Sequence, residues 1–262
     1  MVAKERSTKT NDMPAVRRGR AGTGRVCRKD VYSSRRGVPR NNCWAYAVLN
    51  VTTRGPSNYK LQPGELSGQS GTIWNLSCRA LAERTKADLA RIGGGPVPFD
   101  EPCAKGHYKI ALIIAPGIDY HYLVHHRDVI FKVNCDRQTR ASIAKKFKVP
   151  LSNVELLSSY RKGTSVFVKD ADCWSHKRGT AFPPTLMDSR GKIIKDPRKS
   201  VFDYGALNYT VFCSTFCVKN RKVNTATIVE RDGDMNVSSR GSGAHASTVR
   251  ATIRRLKKSI GL

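Results

Sequence analysis

Apolar positions along this chain change their period several times, and each change marks an element. In Asn41-Asn42-Cys43-Trp44-Ala45-Tyr46-Ala47 two asparagines precede an apolar run. That is a capped helix start, because an Asn side chain accepts an N–H that the first turn leaves unpaired. Leu61-Gln62-Pro63-Gly64-Glu65 reads as a turn. A second helix is predicted over 72–91, with Ile73, Leu76, Ala80, Ala87 and Ala90 near one face and Arg79, Glu83, Arg84, Lys86 and Asp88 largely elsewhere. Gly93-Gly94-Gly95-Pro96 ends it and reads as a linker, since it lacks the strand-to-helix setting of a phosphate loop. The β-branched run 107–114 predicts a central strand, broken by Ala115-Pro116-Gly117. Another strand begins at Asp119 and runs to His126. Under period two, His121 and Leu123 share one of its faces and Tyr120 and Tyr122 the other.

Residues 130–168 pattern as a unit of their own. A strand-like Ile130-Phe131-Lys132-Val133 is followed by an amphipathic helix over 140–147 and a turn at Val149-Pro150-Leu151-Ser152. Ser152 then caps a second predicted helix with Val154, Leu156 and Leu157, and residues 162–168 return as a strand. Further on, Asp188-Ser189-Arg190-Gly191 is turn chemistry between two strand candidates, hence a hairpin over 187–197. Residues 211–218 form a closing strand, on which alternation puts Cys213 and Cys217 on one side as packed thiols. In 245–262, Val249, Ile253, Leu256 and Ile260 recur at helical spacing among basic residues.

Charge divides the chain further. The 262 residues carry a net +27, of which +9 falls in 1–40 and +7 in 219–262. The first segment is polar and aperiodic, with clusters at Arg17, Arg18, Arg20, Arg35 and Arg36. The last carries Arg250, Arg254, Arg255, Lys257 and Lys258 on its amphipathic helix. Both are expected to be basic arms, disordered alone or held by an assembly, that grip polyanions or neighbouring proteins. No apolar run is long enough to span a bilayer, and the first residues lack the apolar core of a secretory signal. Eight cysteines in a long chain without that signal are expected to be mostly reduced. Cys213 and Cys217 offer only half of a zinc site, so no metal or cofactor is expected.

Chemistry concentrates at three residues. Cys43 opens a helix, where N–H groups and the dipole favour thiolate. His121 in Asp119-Tyr120-His121-Tyr122 and His176 in Cys173-Trp174-Ser175-His176-Lys177 supply imidazoles from strand-like contexts. A nucleophile, a base and an orienting group in this order fit a Cys/His site.

The wording Ser-Ile-Ala-Lys-Lys-Phe-Lys-Val-Pro-Leu-Ser-Asn-Val-Glu-Leu-Leu, in its β-α-α-β setting, resembles a LysM domain. That resemblance implies binding of N-acetylglucosamine-containing glycans; similar folds also serve as protein adaptors. The motifs Asn-Asn-Cys-Trp-Ala-Tyr-Ala, Leu-Gln-Pro-Gly-Glu, Asp-Tyr-His-Tyr, Trp-Ser-His-Lys-Arg-Gly and the Phe-Cys strand together resemble a family of bacteria and large DNA viruses. Its order of elements is similar to the papain-like fold of NlpC-type cysteine amidases and peptidases. The resemblance implies an α+β core over 41–129 and 169–218, interrupted by the 130–168 insert. It also implies Cys43 as nucleophile, His121 as general base, His176 as orienting group and Trp44 as packing. Function is then expected to be that of a basic structural component of a large assembly, a minor capsid or virion protein, located in a virion or intracellular assembly. An active cysteine amidase or peptidase and a nonspecific nucleic-acid binder are the alternatives.

Overall fold

The computed structural model describes residues 37–49, 60–69, 76–133, 139–160 and 163–220. The chain is a mixed α+β protein with few helices and antiparallel sheets. In order the elements are α1 (Cys43–Ala47), α2 (Cys78–Ile92), β1 (Gly94–Pro96), β2 (His107–Ala115), β3 (Asp119–His126), β4 (Val129–Val133), α3 (Arg140–Phe147), β5 (Val154–Tyr160), β6 (Gly163–Val168), β7 (Cys173–Lys177), β8 (Pro184–Thr185) and β9 (Val211–Lys219). A six-stranded sheet runs β1-β9-β2-β3-β7-β8, and a three-stranded sheet runs β4-β6-β5.

β2 is apolar from Ile110 to Ala115 because both of its faces are covered there. Ile110, Leu112 and Ile114 pack with α1 and α2 residues, while Ala111, Ile113 and Ala115 pack with Trp174, Ile194 and Phe202 on the other side. β3 divides as its period predicts: Tyr120 and Tyr122 face the helices and Leu123 the opposite layer. The three-stranded unit shares a third core with the start of β7, where Val129, Ile143, Phe147 and Val168 meet Cys173 and Leu186. Among the described residues, no helix is long and apolar enough to cross a membrane.

Several expectations need correction. The helix predicted over 72–91 begins at Cys78, where the Ser77 hydroxyl caps the Ala80 N–H. Its buried stripe is Leu81, Thr85, Asp88, Leu89 and Ile92, so Asp88 lies inside and Ala90 outside. The glycine linker is a strand. Gly94–Pro96 pairs with Phe216–Val218 of β9, and a Cβ on Gly94 would stand 2.3 Å from the Cys217 carbonyl oxygen. Only glycine lets the two backbones come so close.

The insert is β-α-β-β, not β-α-α-β. Lys148 takes a left-handed conformation that ends α3, and the chain makes one tight turn at Leu151–Asn153. Val154 onward then pairs with β6, Val154 opposite Val168. Long-range pairing with a β-branched partner thus outweighs the helical spacing of three apolar residues.

The cysteines are the largest correction. Among the described residues Cys78 bridges Cys213 and Cys103 bridges Cys217, while Cys43 and Cys173 are free thiols; Cys27 and Cys135 lie outside them. Cys213 and Cys217 do not share a side. The β2–β9 register slips between Leu112 and Ile113, which face Ser214 and Phe212, so Cys213 is the extra residue of a bulge. The bulge turns Cys213 toward α2, whereas Cys217 points to the 97–106 loop across the sheet. The half-site once open to zinc is therefore consumed in two separate disulfides. Residues 1–36 and 221–262, with Arg17, Arg18, Arg20, Arg35, Arg36, Arg250, Arg254, Arg255, Lys257 and Lys258, lie outside the described residues.

Candidate active site

Cys43 is placed by a relay of polar contacts. Asn42 caps α1 as expected, its Oδ1 accepting the Ala45 N–H at 2.9 Å, and its Nδ2 donates to the Leu61 carbonyl at 2.7 Å. The turn after Leu61 is held in turn by buried Asp88, whose carboxylate accepts the N–H groups of Gly64 and Ser67 at 2.7 Å each. Burial drives the Asp88 pKa from 3.8 up to about 6 despite those donors. The Tyr120 hydroxyl donates to Gln62 Oε1, tying the same turn to β3. α1 is thus fixed at both its cap and the neighbouring turn.

β7 stops at Lys177, and the free edge of β3 beyond it receives Cys43. The thiol donates to the Tyr120 carbonyl, 3.9 Å from Sγ, and the N–H groups of Tyr122 and Trp44 face the sulfur. The site is dry: Cys43 is 5% exposed, and His121 and His176 are buried with it. Burial, helped by the Asp119 charge, pushes the Cys43 pKa up to about 12, outweighing the two N–H groups and Lys177. The expectation of a thiolate at the helix start is overturned, because loss of water costs the anion more than one short helix returns.

The two imidazoles meet through strand register. Leu123 pairs with His176, so His121, two residues back on the same face, is the diagonal neighbour of His176. His121 Nε2 lies 2.8 Å from His176 Nδ1, and His176 Nε2 lies 2.8 Å from the Met187 carbonyl. A carbonyl only accepts, so His176 carries its proton on Nε2 and its Nδ1 is the acceptor. His121 must then donate from Nε2, which leaves its Nδ1 as a lone-pair acceptor. Burial, reinforced by the neighbouring imidazole, holds His121 well below 6.5, and burial brings His176 down to about 4. Both rings are neutral near pH 7.

The site therefore gathers His121 and His176 into one hydrogen-bonded pair and seats Cys43 against the residue before His121. Among the described residues no hydrogen bond joins the thiol to either ring. Trp44 packs on Tyr122 at a centroid distance of 4.7 Å, in keeping with a packing role. Two participants were not singled out in the sequence. Tyr209 lies 5.0 Å from the His121 ring, and its hydroxyl donates to Asp119 Oδ2 at 2.7 Å. Asp119 had a usable signal, since period two puts it on the face of His121. Tyr209 had none, because an irregular segment delivers it. Among the described residues, no cluster of three or more His, Cys, Asp or Glu side chains is arranged to hold a metal ion.

Comparison with protein-family models, with curated proteins and with solved structures finds no match to this chain.

Proposed function

We propose that this chain is a papain-like cysteine hydrolase, of the NlpC type, that cleaves cell-wall or peptide amides through Cys43, His121 and His176. The observation that carries the reading is the Met187–His176–His121 relay, which leaves His121 Nδ1 an unprotonated acceptor on the residue that follows Tyr120, whose carbonyl accepts the Cys43 thiol. A base oriented by a third group is what an activated nucleophile needs. Thiol and imidazole are both neutral at rest, so the proton moves only with substrate in place. The Cys43 S–H exchanges the Tyr120 carbonyl for His121 Nδ1. Sγ then attacks the amide carbon as His121 takes the proton, with the Cys43 amide N–H helping to hold the oxyanion. Collapse expels the amine, which leaves with that proton. Water, deprotonated by His121, hydrolyses the thioester and restores the thiol. His176 and Met187 keep His121 in the productive tautomer throughout.

Cys173 is a built-in control. It is a buried thiol also pushed up to about 12 by burial, and it serves as the comparison for Cys43 within the same chain. The test is iodoacetamide labelling of the full chain near pH 7, read by peptide mass spectrometry, together with amine release from cross-linked wall peptides and peptide amides. Faster labelling of Cys43 than Cys173, and amine release abolished in Cys43→Ala and His121→Ala, are expected. Equal, slow labelling without amine release would overturn the proposal.

A second reading is favoured by the charge. A net +27, with +9 and +7 in the two end segments, exceeds what an amide hydrolase requires. In it the chain is a basic structural component of a large assembly, a minor capsid protein of a large DNA virus, with the hydrolase-like core as its wedge. Two disulfides suit a particle that ends in an oxidising environment. Release from such particles only at high salt, with 1–40 and 219–262 becoming protease-sensitive on release, is the expected result. Recovery in the soluble fraction at low salt argues against it.

A further inference from the structure

β7 meets the histidine pair on one face and α1 on the other. Period two puts Ser175 and His176 on opposite faces of the strand. On the face turned to the helices, the Ser175 hydroxyl oxygen lies 2.6 Å from the Tyr46 hydroxyl and 2.6 Å from His126 Nε2. The second contact follows from register. Ser175 pairs with Val124, so His126, two residues on, is its diagonal neighbour. The same rule brings His121 to His176 across the sheet. A serine hydroxyl has one proton and two lone pairs, so Ser175 serves both partners at once. Ser175 and Tyr46 are completely buried and His126 nearly so, which keeps water from competing for these bonds.

The relay bears on Cys43 through helix geometry. Tyr46 lies three residues after Cys43, on the same side of α1. α1 is five residues long, and so short a helix has little stability of its own. Asn42 pins its start through the Leu61 carbonyl, and the Tyr108 hydroxyl pins its end through the Ala47 carbonyl at 2.8 Å. A helix carbonyl points along the axis, so that last bond holds the end without setting the rotation about the axis. The Tyr46 side chain stands off the axis and does set it. A rotation of about 25° moves even a Cα, about 2.3 Å from the axis, by about 1 Å, and the thiol by more.

We propose that Tyr46 and Ser175 are positioning residues: the Tyr46–Ser175–His126 relay locks the rotation of α1 and so aims the Cys43 thiol at the histidine pair. The proposal rests on the hydrolase reading. Neither residue touches the reacting atoms. The dipeptide Ser175-His176 registers both halves of the site on one strand, the base from one face and the nucleophile from the other. A small shift of β7 then carries thiol and imidazole together and keeps their relation.

The test is steady-state amine release from cross-linked wall peptides and peptide amides by the full chain, at a temperature where circular dichroism shows every variant folded. Ser175→Ala and Tyr46→Phe should each lower kcat roughly tenfold to hundredfold, because a misplacement of about 1 Å costs up to that much, with KM changed less than about threefold. The double variant should be no slower than the worse single one, since either change breaks the same relay. Tyr108→Phe removes a hydroxyl bond from the same helix and should leave kcat within about twofold of the wild type. Losses in Ser175→Ala and Tyr46→Phe no larger than in Tyr108→Phe, or losses that multiply in the double variant, overturn the relay while leaving the hydrolase reading standing. If the wild type releases no amine, the hydrolase reading fails. Iodoacetamide then judges the lock alone: Ser175→Ala should speed Cys43 alkylation several-fold over Tyr108→Phe, as the freed helix turns the buried thiol outward, and equal rates overturn it.

Discussion

Removing the two disulfides separately and together should give costs that do not add, and the excess follows from where they sit. Each bridge closes a long loop, with sequence separations of 135 and 114. Taken alone, chain entropy assigns either one about 5 kcal/mol. They overlap, however. Once one is closed, the other closes only a short circuit through it: about 25 residues from Cys78 to Cys103 and about four from Cys213 to Cys217. An effective loop of about 30 residues is worth roughly 3.5–4 kcal/mol. The pair variants Cys78→Ala/Cys213→Ala and Cys103→Ala/Cys217→Ala should therefore lose nearly equal amounts, about 3.5–4 kcal/mol each. The quadruple variant should lose about 8.5 kcal/mol, roughly 1 kcal/mol beyond the two pairs combined, which leaves a domain of ordinary stability barely folded. Urea unfolding of the oxidised full chain measures all three. Thiol titration in denaturant without reductant should find Cys43 and Cys173 reactive and the four bridged cysteines silent. Pair variants that lose less than about 1 kcal/mol each, or reactive thiols found at Cys78, Cys103, Cys213 and Cys217, would refute the reasoning.

The remaining predictions are local. His176 is brought from 6.5 down to about 4, so in the window between those values the unfolded chain binds more protons. Stability from this group is full above about 6.5 and falls by on the order of 3 kcal/mol as the pH drops to 4. His121 acts with the same sign, and Asp88, raised to about 6, acts with the opposite sign. Urea midpoints of wild type minus His176→Asn across pH 4–7 isolate the histidine slope, and a flat difference would contradict it. Gly94→Ala places a Cβ against the Cys217 carbonyl and should cost about 1–3 kcal/mol in thermal unfolding, with faster amide exchange along β1 and β9. Asp88→Ala removes the acceptor of two turn N–H groups and should loosen the Gln62–Gly68 turn, read as a lower melting temperature and faster amide exchange at Gly64 and Ser67.

What could be read from the sequence was what local chemistry decides. The Asn42 cap, the break at Pro116, the two faces of β3 and the Arg140–Phe147 helix all follow from residues within one turn or one alternation. The sequence missed what distant partners decide. The glycine run is a strand because β9 lies beside it, and Val154 onward is a strand because β6 lies beside it. Neither partner is visible from the segment itself. At the candidate site, the strand contexts of His121 and His176 were legible, but their pairing through the register and the protonation of all three groups were not. Dipole reasoning favours a thiolate at Cys43, and only the burial of the whole centre reverses it.

On the hydrolase reading, that reversal also explains how one chain would keep a nucleophilic cysteine alongside two disulfides. Thiol–disulfide exchange runs through thiolate, and its rate falls with the thiolate fraction. With Cys43 and Cys173 both pushed up to about 12, that fraction at pH 7 is on the order of one in 100,000. Neither thiol is then a competent attacker of the Cys78–Cys213 or Cys103–Cys217 bridge while the core is closed. A site built with a standing thiolate would threaten the staples that hold β9, and β9 pairs directly with β2, the strand beside His121. On that reading, keeping the thiol neutral until substrate brings it to His121 resolves the conflict. The same burial that makes Cys43 look inert at rest is what allows it to persist in an oxidised protein.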